Sequence, residues 1–121
     1  MSVELSHKTV LPHIFSIRVW IHNTDTDLLK TMGDTLLEKA EFRVLNFVEH
    51  YFPVKGYTAL WLLAESHLAI HTFPDGDYSY LELSGCNEEK TKVFFNLLEE
   101  SGLEVKKEDI AYNGQPFKPA T

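Results

Sequence analysis

Side chains capable of nucleophilic or metal chemistry are concentrated in the middle of this 121-residue sequence. Residues 65–74 read Glu-Ser-His-Leu-Ala-Ile-His-Thr-Phe-Pro and supply the hydroxyl of Ser66 and the imidazoles of His67 and His71. Cys86, the only cysteine, follows fifteen residues after His71. A hydroxyl or thiol near an imidazole is the pairing that nucleophilic catalysis uses. Imidazole and thiolate are also ligands that zinc prefers.

A zinc site is one interpretation of the two histidines. His67 and His71 would share one face of a helix, and they would also share one face of a strand. However, no glutamate lies where the helical zinc-protease motif needs it. Cys86 could supply only a third ligand. The sequence therefore favours a site without metal.

A hydrolase site is weakly supported. Ser66 is flanked by Glu65 and His67, and not by the glycines of a nucleophile elbow. In a purely structural interpretation, His67 and His71 are half-buried strand residues and Cys86 is a small core residue. The residue types alone leave these interpretations open.

The same block resembles the core of the bacterial and archaeal S-adenosylmethionine decarboxylases. In that family the stretch runs Ser-Glu-Ser-His, then Ile-His-Thr-Trp-Pro-Glu, then Thr-Cys-Gly. Here Gly85-Cys86 stands at the spacing of the last element, and Phe52-Pro53 with Gly56 matches the family's Phe-x-Pro-x-Gly. The resemblance is strong and free of gaps over about residues 50–86 and weaker toward both ends, so it is far more specific than a lone short motif.

The resemblance implies that the chain cuts itself between Glu65 and Ser66. Ser66 would attack the preceding carbonyl, and elimination and hydrolysis would then turn it into a covalent pyruvoyl group. Residues 1–65 would become the β chain and residues 66–121 the α chain. In the family, His71 would remove the Ser66 α-proton, and a serine at the position of Thr58 assists processing.

The resemblance also implies a reaction and a substrate. The pyruvoyl ketone would form a Schiff base with the substrate amine and serve as an electron sink while CO₂ leaves. Cys86 would then reprotonate the carbon, since a thiol is mostly protonated at neutral pH. Phe52 would stack on adenine, and Asp75, where the family has glutamate, would hold the ribose. The product would be the aminopropyl donor for spermidine synthesis, and the implied assembly is a homodimer with active sites near its interface.

Three departures from the family pattern leave alternatives open. Thr58 adds a methyl group and restricts rotation about χ1, Asp75 has a shorter reach than glutamate, and Arg18 falls near a position that is acidic in the family. One alternative is the same chemistry on L-arginine or L-ornithine. A second alternative is an unprocessed paralogue that binds a ligand or pairs with an active subunit.

Composition and charge argue against several classes of partner and location. The formal net charge is −7 and no basic stripe is present, which argues against nucleic acid as a partner. Residues 1–9 lack an apolar signal core, and the longest apolar run, residues 59–64, is too short to cross a bilayer. With one cysteine, no intrachain disulfide can form. We therefore expect a cytoplasmic protein of one domain.

Hydrophobic periodicity predicts the elements that position these residues. Strands are predicted over residues 14–21, 42–51, 57–64, 67–73 and 78–83, with a short edge strand over 103–110. Helices are predicted over residues 26–40 and from Glu88 to just before Gly102, and the tail from Tyr112 is predicted to be irregular. This order predicts an α+β fold, a two-layer α/β sandwich in which two helices pack on one face of a largely antiparallel sheet.

Overall fold

A computed structural model describes residues 13–112 and 115–116, with side chains over residues 13–107. Its strands are β1 (Phe15–Ile21), β2 (Val44–Tyr51), β3 (Tyr57–Leu63), β4 (Ser66–Phe73), β5 (Tyr78–Gly85), β6 (Val105–Tyr112) and β7 (Gln115–Pro116). Its helices are α1 (Thr26–Lys39) and α2 (Glu88–Glu99). The strands form one sheet in the order β2-β3-β4-β5-β1-β6-β7, and every neighbouring pair is antiparallel.

The predicted fold class is confirmed, and most boundaries move by one or two residues. β4 begins at Ser66 rather than His67, so the serine is the first residue of its strand. The prediction of an edge strand over residues 103–110 was wrong, because β6 pairs with β1 on one side and β7 on the other. The predicted irregular tail was also wrong in part, since Tyr112 belongs to β6 and Gln115–Pro116 to β7. Its other residues, and the segment 1–9, lie outside the described residues.

Both helices start at side-chain caps that the sequence supplies. The carboxylate of Asp25 accepts a hydrogen bond from the backbone N–H of Leu28 at 3.0 Å, which satisfies one of the free N–H groups at the start of α1. The amide oxygen of Asn87 accepts from the N–H of Lys90 at 2.9 Å and caps α2 in the same way. Because Asn87 directly follows Cys86, the α2 cap fixes the backbone just after the thiol.

Alternation along the strands gives the sheet one packed face and one open face. In β4, Leu68, Ile70 and Thr72 are buried, whereas His67 and His71 are only half-buried. The buried side chains of β1, β3, β4 and β5 join those of α1 and α2 in one core. The helices therefore cover one face only, and the opposite face carries the partly exposed side chains.

The most tightly packed point of the core lies between α1 and β3. Trp61 is fully buried, and its Nε1–H donates to the carboxylate of Asp34 at 2.8 Å. The ring lies against Gly33, where an added Cβ would stand 2.6 Å from two of its ring carbons. Such a contact is impossible without movement of the helix or the ring. Gly33 is therefore required by the close approach of α1 to the sheet.

We expect Gly33→Ala to destabilise the protein. Overpacking of a core costs about 1–3 kcal/mol, and the higher helix propensity of alanine offsets about 1 kcal/mol of that cost. At this very short contact we expect a net loss of about 2 kcal/mol in the free energy of unfolding. Urea unfolding at one fixed protein concentration measures it. Gly76→Ala is the matched control, because no atom lies within 4 Å of an added Cβ there. Equal midpoints for the two variants would contradict the packing described.

A row of side chains crosses the open face from β2 to β1. The register places His50 opposite Thr58, Thr58 opposite His71, His71 opposite Tyr80, and Tyr80 opposite Trp20. Next to this row, Val48, Leu60 and Leu62 are 55%, 38% and 50% exposed. The open face thus combines a polar and aromatic row with an apolar patch.

Neither helix in the described part of the chain has the length and the run of apolar residues that crossing a membrane requires.

Candidate active site

The bond between Glu65 and Ser66 lies in the tight turn that joins β3 to β4. Leu63 pairs with Ser66, so only Ala64 and Glu65 form the turn. The φ angle of Glu65 is +62°, in the left-handed region that costs a residue with a side chain about 1–2 kcal/mol. The turn is held by the Ala64 N–H, which donates to the Arg43 carbonyl at 3.1 Å. The peptide bond of interest therefore follows a strained residue in a fixed turn.

The groups around Ser66 come from the end of β5 and the start of α2. A Cβ on Gly85 would stand 3.2 Å from Ser66 Oγ and 3.4 Å from the hydroxyl oxygen of the buried Thr91. The Sγ atom of Cys86 lies 3.7 Å from the carbonyl oxygen of Glu65, a distance at which a thiol can donate weakly to a carbonyl. A hydroxyl, the neighbouring carbonyl and a thiol thus meet at one end of the sheet.

Thr58 and His71 form a second pair. They stand opposite each other on β3 and β4, and Thr58 Oγ1 lies 2.9 Å from His71 Nδ1. The threonine hydroxyl therefore reaches the imidazole despite its extra methyl group. A base that acts through Nε2 must carry its proton on Nδ1, and Thr58 Oγ1 can accept that proton in a hydrogen bond.

The two pairs are not brought together within one chain. Ser66 and His71 are five residues apart on β4, so their side chains point to opposite faces and their Cα atoms are about 16 Å apart at the rise of a strand. Ser66 lies on the helix side, near Thr91, whereas His71 lies on the open face. A reaction that uses both Ser66 and His71 therefore needs groups that a single chain in this conformation does not bring together.

The predicted substrate-binding residues do meet. Phe52 and Asp75 line one cleft of about 360 Å³, together with Lys55, Phe73 and other residues of the same loops. Lys55 forms an ion pair with Asp75. His50 packs edge-on against Phe52, with ring centroids 4.6 Å apart, so the cleft adjoins the row that contains His71.

The remaining candidate residues lie on the open face. His67 pairs with Ser84, and Arg18 pairs with Glu82. His67 and His71 share a face as predicted, but four residues of strand separate their Cα atoms by about 13 Å. They cannot bind one zinc ion, whose ligand bonds are about 2 Å long. Among the described residues, no three His, Cys, Asp or Glu side chains are grouped to hold a metal ion.

Comparisons with known proteins identify the family of this chain. A family model for S-adenosylmethionine decarboxylase matches residues 22–112, most of the chain and all of the residues around both pairs. The chain belongs to the S-adenosylmethionine decarboxylase family. The family takes its name from a carboxy-lyase reaction, so the match bears out the prediction of an enzyme family.

Similar proteins include three S-adenosylmethionine decarboxylase proenzymes. The one from Prochlorococcus marinus (strain MIT 9313) is 38% identical over 65 residues, which cover 54% of this chain and 52% of that protein. The one from Syntrophomonas wolfei is 33% identical over 79 residues, covering 65% and 62%. The one from Acetivibrio thermocellus is 34% identical over 80 residues, covering 65% and 63%. The chain thus spans about half to two thirds of the length of these relatives.

A solved structure shares the fold. The crystal structure of the adenosylmethionine decarboxylase from Aquifex aeolicus superposes with a TM-score of 0.60 and covers 90% of this chain and 95% of its own. The sequence identity is 14%, so this likeness concerns the fold alone.

Sequence reasoning missed several residues of the site. It did not single out Thr91, which with Ser66 lies beside Gly85, or Lys55, which pairs with Asp75. The signal for Lys55 was its place in the segment between Phe52 and Gly56. Gly85 was noted only as part of the Gly85-Cys86 motif and Thr91 gave no signal, because their place beside Ser66 depends on how α2 packs against β5.

Proposed function

We propose that this chain is a pyruvoyl-dependent decarboxylase that cuts itself between Glu65 and Ser66 and acts on S-adenosylmethionine. One observation carries the proposal: the Cys86 thiol lies against the carbonyl of a strained Glu65, directly before the serine that would be converted. Membership of the family supports the same reaction. The mature enzyme would consist of residues 1–65 and 66–121 of one domain.

The residues around the turn suit the covalent steps of cleavage. Ser66 Oγ attacks the Glu65 carbonyl carbon, the peptide C–N bond breaks, and an ester replaces the amide. A base then removes the Ser66 α-proton, and the bond between Ser66 Cβ and the ester oxygen breaks. Glu65 departs with a free C-terminal carboxylate, and residue 66 becomes a dehydroalanine. Water then replaces the nitrogen, which departs as ammonia. Cys86 donates to the carbonyl oxygen as negative charge develops there, and release of strain at Glu65 favours the forward direction.

The residues at both ends of β4 are suited to a pyruvoyl group and to S-adenosylmethionine as its substrate. The pyruvoyl group, built from residue 66, supplies an electron sink for the loss of CO₂. Because Gly85 lacks a side chain, the space beside residue 66 stays open, and Cys86 stands within reach as a proton donor. Phe52 offers a ring for stacking on adenine, and the Asp75 carboxylate offers acceptors for ribose hydroxyls. Lys55 holds that carboxylate in the cleft.

A second copy of the chain would complete the site. The Ser66–Cys86 pair and the Thr58–His71 pair lie at opposite ends of β4, so a two-fold arrangement with the open faces together would set the turn before Ser66 of one copy beside the end of β4 that carries His71 in the other. The exposed apolar side chains of Val48, Leu60 and Leu62 lie on that face and would be buried in such a contact. This supports a homodimer with composite sites.

Arg18 motivates the second substrate class, L-arginine or L-ornithine. Its charge stands opposite Glu82 on the open face, one row away from His71, where a carboxylate-bearing substrate could approach. Release of labelled CO₂ from each amino acid distinguishes the candidates. Activity on arginine or ornithine without activity on S-adenosylmethionine would reject the substrate proposed, while leaving the cleavage chemistry standing.

The proposal is tested by a mass spectrum of the purified chain. We expect one fragment that ends at Glu65 and one that begins with a blocked, modified residue 66, whereas Ser66→Ala should remain a single chain. Ser16→Ala is the matched control, because it removes a hydroxyl from the open face of β1, which β5 separates from β4 and the turn. A wild-type chain that stays at 13.9 kDa after long incubation would favour the unprocessed paralogue.

A further inference from the structure

Tyr80 on β5 lies beside the histidine of the proposed cleavage step. It stands directly opposite His71 in the register of β4 and β5, and the two rings are offset and nearly parallel, with centroids 6.4 Å apart and planes inclined by 22°. On the other side of His71, Thr58 Oγ1 bonds to Nδ1 at 2.9 Å. The imidazole is therefore held between a hydroxyl and an aromatic ring.

Tyr80 is itself fixed by its neighbours. Its hydroxyl donates to the Glu82 carboxylate at 3.1 Å, and the Trp20 ring packs against it at 5.3 Å with an inclination of 57°. Trp20 in turn contacts Phe73 at 5.8 Å. Although Tyr80 faces the open side of the sheet, these contacts leave it only half exposed. The Tyr80 ring is therefore held in place, and the His71 imidazole cannot easily displace it.

The hydroxyl of Tyr80 is not available for proton transfer to His71. Burial, reinforced by the Glu82 carboxylate, raises the pKa of Tyr80 above its ordinary value, so the phenol stays protonated at neutral pH. Its one proton is already donated to Glu82. Any influence of Tyr80 on His71 must therefore come from the ring.

We propose that Tyr80 is a positioning residue whose ring keeps the His71 imidazole in the orientation that bonds Nδ1 to Thr58 and directs Nε2 outward. Rotation of the imidazole about χ1, away from Thr58 and toward β5, would break the bond to Thr58 and misdirect the base. The ring of Tyr80 stands on the β5 side of His71 and disfavours that rotation by contact. The inference rests on the proposed function, in which His71 removes a proton during self-cleavage.

The first test does not depend on cleavage. In a Ser66→Ala background, which keeps the chain intact, ¹⁵N NMR of the His71 ring reports its tautomer. We expect one tautomer with Tyr80 and with Tyr80→Phe, and a mixture of two with Tyr80→Leu. Tyr78→Leu, a change of the same size two residues away on the same face, should leave the tautomer as in the parent. A single unchanged tautomer in Tyr80→Leu would overturn the proposal.

The second test follows the reaction in chains that retain Ser66. Tyr80→Leu should slow the elimination step about 10- to 100-fold, as misplacement of a catalytic group does. The ester should then accumulate, which hydroxylamine detects by cutting the chain at that bond. Tyr80→Phe should react like the wild type. A Tyr80→Leu chain that processes at the wild-type rate would overturn the proposal, and Tyr80→Met replaces it if the leucine variant does not fold.

The two tests separate this proposal from the one on which it rests. If the wild-type chain never cleaves, the proposed function fails, and the NMR comparison alone decides whether Tyr80 positions His71. If the wild type cleaves and the His71 tautomer is the same with Tyr80 and with Tyr80→Leu, the proposed function is supported and the positioning role of Tyr80 is rejected.

Discussion

Chains carrying His71→Ala should remain intact alone and should be cut between Glu65 and Ser66 when they assemble with chains carrying Ser66→Ala. The reason is the separation of about 16 Å along β4, together with the opposite orientations of the two side chains. In a mixed dimer, one composite site receives Ser66 from the first chain and His71 from the second. That site contains both Ser66 and His71, although each chain alone lacks one of the two.

The experiment requires two affinity tags and co-expression. Purification through both tags isolates mixed assemblies, and a mass spectrum then shows which chain has been cut. Only the His71→Ala chain should yield fragments, because the other lacks the nucleophile. A mixture of His71→Ala with the double variant Ser66→Ala/His71→Ala is the matched control and should stay intact.

Two results would contradict the composite site. Cleavage of His71→Ala alone at the wild-type rate would show that the base is another group. Copurified mixed chains that never cleave would show that Ser66 and His71 of one chain must meet, which would require the start of β4 to leave the sheet. Either result would leave the family assignment untouched, since that depends on the sequence match over residues 22–112.

Local periodicity was sufficient to predict most of the fold. Buried and exposed side chains alternate clearly in β3, β4 and β5, and Asp25 and Asn87 cap the helices as their side chains allow. The neighbours of β6 could not be predicted, because strand order depends on pairings between residues far apart in the chain. Its partner β1 lies at the opposite end of the described sequence.

The site was predictable in its parts but not in its assembly. The family resemblance implied that Phe52 and Asp75 bind one substrate, and both line the same cleft in the structure. Ser66 lay one residue outside the predicted strand over residues 67–73, so its orientation opposite to that of His71 followed only once β4 was found to begin at Ser66. The contact of Tyr80 with His71 depends on register between β4 and β5, which no local pattern determines.

Replacement of Cys86 should separate the two stages of the reaction. The thiol lies on the exposed surface at the end of β5, and its contact with the Glu65 carbonyl at 3.7 Å is a weak hydrogen bond. Cys86→Ala should therefore slow self-cleavage by only a few-fold, since weak bonds of this kind contribute little. Decarboxylation by the cleaved enzyme should fall far more, by about 10²- to 10⁴-fold, the usual contribution of a positioned proton donor.

Both quantities come from one preparation of each variant. The cleaved fraction is read from the mass spectrum over time, and turnover of S-adenosylmethionine is normalised to cleaved chain, so that slow processing does not count as lost activity. Cys86→Ser keeps the size and a hydroxyl proton but is a far weaker acid, and it should lose turnover almost as fully as alanine. Slow self-cleavage with unchanged turnover per cleaved chain would assign the thiol to the Glu65 carbonyl rather than to the substrate carbon, because normalised turnover already excludes any loss that comes from processing.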